Sequence, residues 1–159
     1  MANTQFRRLY VVRHGEAKPK NEDPERGLTE VGHANVSRMA NWVAASGIRV
    51  DEIRHSGKLR AQQTAEIFAG PLGAHAHATP GLAPKDDVAS IAGIIASEDG
   101  EIMLVGHLPF LARLAALLTV GNADSSVVTL DAGALLELTQ ADDGWRVTCL
   151  MQPRLLPGT

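Results

Sequence analysis

Leu9-Tyr10-Val11-Val12-Arg13-His14-Gly15-Glu16 is the stretch on which the fold turns. Four apolar residues in a row, bounded on both sides by polar chain, read as a strand buried on both faces. That is the habit of a parallel sheet covered by helices on either side. The run then ends abruptly in an arginine and a histidine, neither of which belongs in a core.

Working outward, Lys18 to Pro24 forms a polar, proline-punctuated loop. From Thr29, an N-cap residue, Val36, Met39, Ala40 and Val43 recur at helical spacing, and Gly47 stops the run, which predicts a helix over 30–46. A second strand is expected at Glu52–His55. Ala61, Ala65 and Phe68 then mark a helix that ends at Gly70-Pro71, with Arg60 in its first turn. Another helix is predicted from Asp87 to Ser97, a strand from Glu101 to Val105, and a helix from Pro109 to Val120 with Pro109 near N1. Two more strands, 134–139 and 145–151, flank the hairpin signal Ala141-Asp142-Asp143-Gly144. Alternation of strands and helices with a closing hairpin predicts an α/β fold: a three-layer α/β/α sandwich on a mostly parallel, mixed central sheet. Neither repeats nor a linker divide residues 1–159, so one domain is expected.

The chain has 159 residues, a net charge of -3 and 21% charged residues. A nucleic-acid binder would carry a basic stripe, and this chain has none. No run approaches the ~18 apolar residues of a membrane span, and Met1 to Arg8 holds no apolar leader core. Cys149 is the single cysteine, so no intrachain disulfide forms. It is expected as a buried thiol in a strand, in a reducing, cytoplasmic setting.

Ligands of open α/β sheets bind where strands end and loops begin. Three strand ends deliver Arg13-His14-Gly15-Glu16, Ser56-Gly57-Lys58-Leu59-Arg60 and Gly106-His107-Leu108-Pro109. Two arginines, two histidines and a helix N-terminus make a set of N–H donors suited to a tetrahedral dianion, and phosphate is the natural candidate. An imidazole can also attack phosphorus and divide one hard displacement into two easier ones.

RHGE after a strand, Ser56-x-x-x-Arg60-Ala61-x-Gln63-Thr64 and a strand-terminal Gly106-His107, in this order, resemble the signature segments of the histidine phosphatase superfamily. The resemblance implies a phosphoglycerate mutase-like fold, His14 as the nucleophile that becomes phosphorylated, and Arg13, Arg60 and His107 around the phosphoryl oxygens. Gly15 joins them as a phosphate contact, with Glu16, Ser56 and Asp87 as auxiliary residues. No metal and no cofactor are implied. Gly57 stands where the family often has proline, which leaves that loop less restrained.

Many members carry a glutamate in a Leu-x-Glu stretch that protonates the leaving alkoxide. Here the matching segment is Gly81-Leu82-Ala83-Pro84-Lys85-Asp86-Asp87, with Pro84 in the glutamate's place. General acid assistance to an alkoxide is worth about 10²–10⁴-fold, whereas an imidazole leaves from phosphorus with little help. Leu-x-Pro followed by Asp87, with His107-Leu108-Pro109 and the short terminal hairpin, is similar to the SixA-type phosphohistidine phosphatases. Residues 61–106 are all that separates Arg60 from His107, which leaves little room for helices roofing the site.

The expected partner is therefore a phosphohistidine-bearing protein domain. A small phosphorylated metabolite or a phosphopeptide is the alternative, and a phosphate-sensing module without turnover is a third reading. Glu16 is open to two readings, a proton donor or a group that orients an arginine. Asp86 and Asp87 are expected as first-turn helix acids and are next in line as a substitute acid. Lys18, Lys20 and Arg26 are read as a solvated loop or as a surface for an acidic partner. His33, His55, His75 and His77 fall outside the matched positions, and His75-x-His77 lacks a third metal ligand.

Overall fold

The computed structural model describes residues 6–158, so the first five residues of the Met1–Arg8 stretch lie outside it. Strand β1 (Arg8–Arg13) is the core strand that the sequence implies. It is followed by α1 (Glu30–Ala45), β2 (Glu52–His55), α2 (Leu59–Leu72), β3 (His75–Ala78), α3 (Val88–Ser97), β4 (Ile102–Gly106), α4 (Phe110–Val120), β5 (Leu135–Ala141) and β6 (Gly144–Met151). The sheet order is β3-β2-β4-β1-β5-β6. β3, β2, β4 and β1 run parallel, while β5 pairs antiparallel with β1 and β6 antiparallel with β5.

Side-chain alternation on β1 divides the core in two. Leu9 and Val11 pack with Ile102 and Leu104 under α3 and α4, through Ile91, Ile95, Phe110 and Leu114. Tyr10 and Val12 face the other way, with Met103 and Val105, against Val36, Met39, Val43, Ala65 and Phe68 of α1 and α2. Both faces of β1 are buried, as a period-2 strand between two helical layers requires. The result is the three-layer α/β/α sandwich on a mixed sheet. Among the described residues no helix is long and apolar enough to cross a membrane.

Four expectations need correction. The edge strand β3, His-Ala-His-Ala, was not expected as part of the sheet; neither residue type favours strands, and only pairing to β2 extends it. Helix α2 does not end at Gly70-Pro71 but runs to Leu72, with Gly73 as a left-handed cap at φ 60°. A proline disfavours helix in the preceding residue through its Cβ, and Gly70 has none. Asp87 is not in the first turn of α3 but caps it, its side chain accepting from the Ala89 N–H. Cys149 is half-buried rather than buried, and desolvation together with Glu137 raises its thiol pKa.

Candidate active site

The register β1 to β4 puts Arg13 opposite Gly106, so the next residues in each chain, His14 and His107, emerge together at the carboxyl edge of the parallel strands. The His14 N–H donates to the Gly106 carbonyl at 3.0 Å. The loop before β5 closes over this corner: the Gly133 N–H donates to the Arg13 and His14 carbonyls, each at 3.0 Å, and the Arg13 N–H donates to Ala134 O at 3.1 Å. Gly133 sits at φ 81°, a conformation that side chains with a Cβ rarely adopt. The backbone bearing the two residues is therefore held from both sides.

His14 Nδ1 lies 2.8 Å from the Gly15 carbonyl. A carbonyl oxygen can only accept, so Nδ1 carries the proton and Nε2 presents a bare lone pair in the neutral ring. Burial lowers the His14 pKa to about 4, and Arg60, Arg13 and Arg26 push the same way against the Gly15 hydrogen bond. The ring is thus neutral and nucleophilic at pH 7. His107, 2% exposed, lies with its ring centroid 5.1 Å from that of His14. Desolvation first, then the charges of His14, Arg60, Lys58 and Arg26, bring its pKa down to about 3.

Ser56 Oγ is 2.6 Å from His107 Nε2, which orients that ring from the end of β2. Arg13 donates through Nη1 to the buried Leu130 carbonyl at 2.8 Å. Five buried side-chain nitrogen or oxygen atoms lack a partner among the described residues, and three belong to this cluster: Arg13 Nε, Arg60 Nε and His107 Nδ1. Each such orphan costs about 1–3 kcal/mol, so three donors or acceptors left open beside one nucleophilic nitrogen mark a place prepared for a ligand's oxygens. A cavity of about 860 Å³ lies at the opposite, amino edge of the parallel strands between Arg7, Asp51, Glu101 and Gln140, away from both histidines.

Several expected roles change. The Gly15 N–H is already donated to Thr64 Oγ1 at 3.0 Å, so Gly15 is not a free phosphate donor. A Cβ there would meet Val36 Cγ2 at 2.6 Å, which explains why glycine is needed. Among the described residues Glu16 forms no hydrogen bond or ion pair with an arginine; its carboxylate accepts from the Thr29 hydroxyl at 2.7 Å. That hydroxyl in turn accepts from the Gly32 N–H and caps α1, where a negative charge suits the helix dipole. Asp86 accepts from the Ala83 N–H and Asp87 caps α3, and neither makes a hydrogen bond to the histidines. His77 Nε2 pairs with Glu52 at 2.8 Å and stacks on His75, as a structural group would.

Gly57 is restrained rather than loose. It adopts φ 89°, out of reach of proline's fixed ring, and its N–H donates to Nδ1 of the buried His55 at 3.1 Å. Desolvation lowers the His55 pKa and so favours the neutral, accepting ring. Thr64 and Gly133 were not singled out as site residues. Thr64 Oγ1, fully buried, accepts from Gly15 N and donates to the Arg60 carbonyl at 2.8 Å, tying the loop after His14 to the helix that carries Arg60.

Residues 9–84 match the profile of the histidine phosphatase superfamily, branch 1. An uncharacterized protein of Picosynechococcus sp. (strain PCC 7002) is 33% identical over 135 residues, spanning 80% of this chain and 82% of that protein. Phosphohistidine phosphatase SixA of Escherichia coli (strain K12) is 28% identical over 143 residues, 86% of this chain and 88% of the relative. A solved structure of the protein histidine phosphatase SixA complexed with tungstate superposes with a TM-score of 0.81 at 24% identity, covering 92% of this chain and 97% of that one. Together with the strand-end cluster of Arg13, His14, Arg60 and His107, these matches establish that the chain belongs to the histidine phosphatase superfamily and is a phosphatase.

Proposed function

We propose that this phosphatase removes the phosphoryl group from phosphohistidine on a protein, without a metal ion and through a phosphorylated His14. The observation that carries the reading is the bare Nε2 of a neutral His14 beside the unpartnered Arg13 Nε, Arg60 Nε and His107 Nδ1. His14 Nε2 attacks phosphorus as the P–N bond to a substrate imidazole already protonated on its other ring nitrogen breaks, so that imidazole takes the bonding pair and departs neutral, keeping that proton. Water then attacks phospho-His14, releasing inorganic phosphate; the proton lost by water passes to the phosphate or to solvent. The guanidiniums of Arg13 and Arg60 stabilise the charge on the equatorial oxygens in both steps. Two arginines flanking the nucleophile oppose a bound cation, which favours chemistry without a metal.

The leaving group separates this function from hydrolysis of ordinary esters. Pro84 stands in the glutamate's place, and among the described residues no carboxylate hydrogen-bonds to the two histidines or the two arginines. An alkoxide would leave without its acid, whereas a phosphohistidine protonated on its other ring nitrogen leaves as neutral imidazole with no acid from the enzyme. The Escherichia coli relative named for phosphohistidine supports the same substrate. The test is a panel of a phosphohistidine protein, an aryl phosphate and an alkyl phosphate, with and without chelator. Fastest turnover of the phosphohistidine protein, unchanged by chelator, is expected; alkyl esters turning over fastest would overturn the assignment.

A further inference from the structure

Beyond the phosphoryl pocket, the loop from Ala17 to Leu28 is built to carry one side chain. Its ends pair as an isolated bridge, Ala17 with Leu28, and the Lys18 N–H donates to Gly27 O at 2.9 Å. Inside it, the Asp23 carboxylate accepts from the Glu25 and Gly27 N–H groups, and the Arg26 N–H donates to Asp23 O at 2.9 Å. The Leu28 N–H is fastened to Gln63 of α2 at 2.7 Å. The product of this bracing is Arg26 at φ 54°, the one residue other than glycine with a positive φ among those described. Glycine or asparagine would sit there at less cost, so an arginine held in a strained conformation points to a use for its guanidinium.

That guanidinium is anchored through Nε to Lys18 O at 3.1 Å. A cavity of about 400 Å³ lies between this loop and the turn entering α2, lined by Lys20, Glu25, Arg26, Gly57, Lys58 and Arg60 among others. Arg60 lines this cavity and also belongs to the phosphoryl cluster. Among the described residues none of Lys20, Arg26, Lys58 or Arg60 forms an ion pair, although the chain carries an excess of acids. The one carboxylate on the lining, Glu25, offsets part of the charge of three further cations. Arg26 also acts electrostatically on His14, Arg60 and His107, so its charge lies within range of the reaction centre. Helix α2 opens onto the same turn at Lys58 with no side-chain cap.

We infer that Arg26, with Lys58 and Lys20, forms a second anion subsite beside the phosphoryl pocket, which takes a further anionic group, carboxylate or phosphate, carried on the same substrate. This rests on the phosphatase site proposed above. On a phosphohistidine protein the group would be an acidic side chain next to the modified histidine; on a small substrate it would be a second phosphate or a carboxylate. A second contact 'in register' with the first binds as a chelate and selects among phosphorylated targets without touching the reacting bond.

The subsite is tested independently of which bond is hydrolysed by competitive inhibition of turnover of an aryl phosphate. Inorganic phosphate occupies one anion site, whereas pyrophosphate and tripolyphosphate reach into two. The wild-type protein should bind the longer anions more tightly than phosphate, and Arg26→Asn should reduce that ratio about tenfold, as the loss of one charge-assisted contact predicts. Asparagine tolerates the positive φ, which protects the fold, and Arg26→Lys should restore most of the ratio by keeping the charge. Lys58→Gln should lower it in the same direction. A wild-type protein indifferent to anion length, or an Arg26→Asn protein with an unchanged ratio, overturns the subsite. Paired phosphohistidine peptides with Asp or Asn beside the histidine, and paired metabolites with one or two anionic groups, then show which source supplies the second charge. If phosphohistidine is not hydrolysed while the inhibitor ratio still depends on Arg26, the substrate reading fails and the subsite stands.

Discussion

Replacing Thr64 by valine exchanges a hydroxyl for a methyl group of nearly the same volume, so no cavity opens and the effect is purely polar. The Gly15 N–H, now bonded to Thr64 Oγ1 at 3.0 Å in a fully buried setting, loses its acceptor. The Arg60 carbonyl loses the hydroxyl at 2.8 Å but keeps its place in the α2 ladder. One unsatisfied buried donor costs about 1–3 kcal/mol, and for a chain of this size about 2 kcal/mol corresponds to a fall in Tm of roughly 4–8 °C. The same bond couples the loop behind His14 to the helix that carries Arg60. Its loss lets His14 and Arg60 drift apart, and a misplacement on the order of 1 Å can cost about 100-fold in rate. Urea unfolding followed by circular dichroism, together with steady-state turnover of an aryl phosphate, reads both effects. Thr64→Ser keeps the hydroxyl and should recover most of the rate even where its missing methyl costs stability. Equal rates for Thr64→Val and Thr64→Ser would show that the Thr64 hydroxyl does not hold His14 and Arg60 in place.

His14→Ala should abolish turnover and the acid-labile phosphoryl-enzyme trapped by rapid quench, with unfolding as cooperative as in the parent; a surviving rate would reject His14 as nucleophile. An imidazole NMR titration of the ligand-free protein should place the His14 midpoint near pH 4, and a midpoint above 6 would contradict the burial argument. Because that pKa is depressed below its unfolded value near 6.5, the unfolded chain binds more protons through the interval. Stability is therefore full above about pH 6.5 and falls as pH drops toward 4, by an amount on the order of 3 kcal/mol from His14. Gly57→Pro, toward the residue common in the family, should lower both stability and rate, since proline cannot adopt φ 89° or donate to His55. A stabilised variant would show that the turn can be rebuilt.

Core strands, most helices and the layer order were legible because apolar periodicity reports local burial directly. β1 declared itself by four apolar residues, and α1 by Thr29 and its helical repeat. β3 was not legible, since His75 and Ala76 have no strand pattern of their own and acquire one only beside β2. Glu16, Gly15 and Asp87 stand out in the sequence as polar or special residues, yet the partners of Glu16 and Gly15 could not be read. Thr29 and Thr64 lie across loops whose course depends on packing, whereas Asp87 bonds two residues on, at the Ala89 N–H.

Residue types and their order already carry the chemistry on offer: an imidazole and two guanidiniums at or just past the ends of strands, a second imidazole, and a proline where an acid would stand. Which atoms are free to use that chemistry depends on the folded chain. The Gly15 carbonyl selects the His14 tautomer, burial discharges both imidazoles, and the Ala17–Leu28 loop holds Arg26 beside a cleft in which cations outnumber the one carboxylate. Hydrogen-bond partners and desolvation are matters of distance between segments far apart in the chain, and distance exists only once the sheet has brought those segments together.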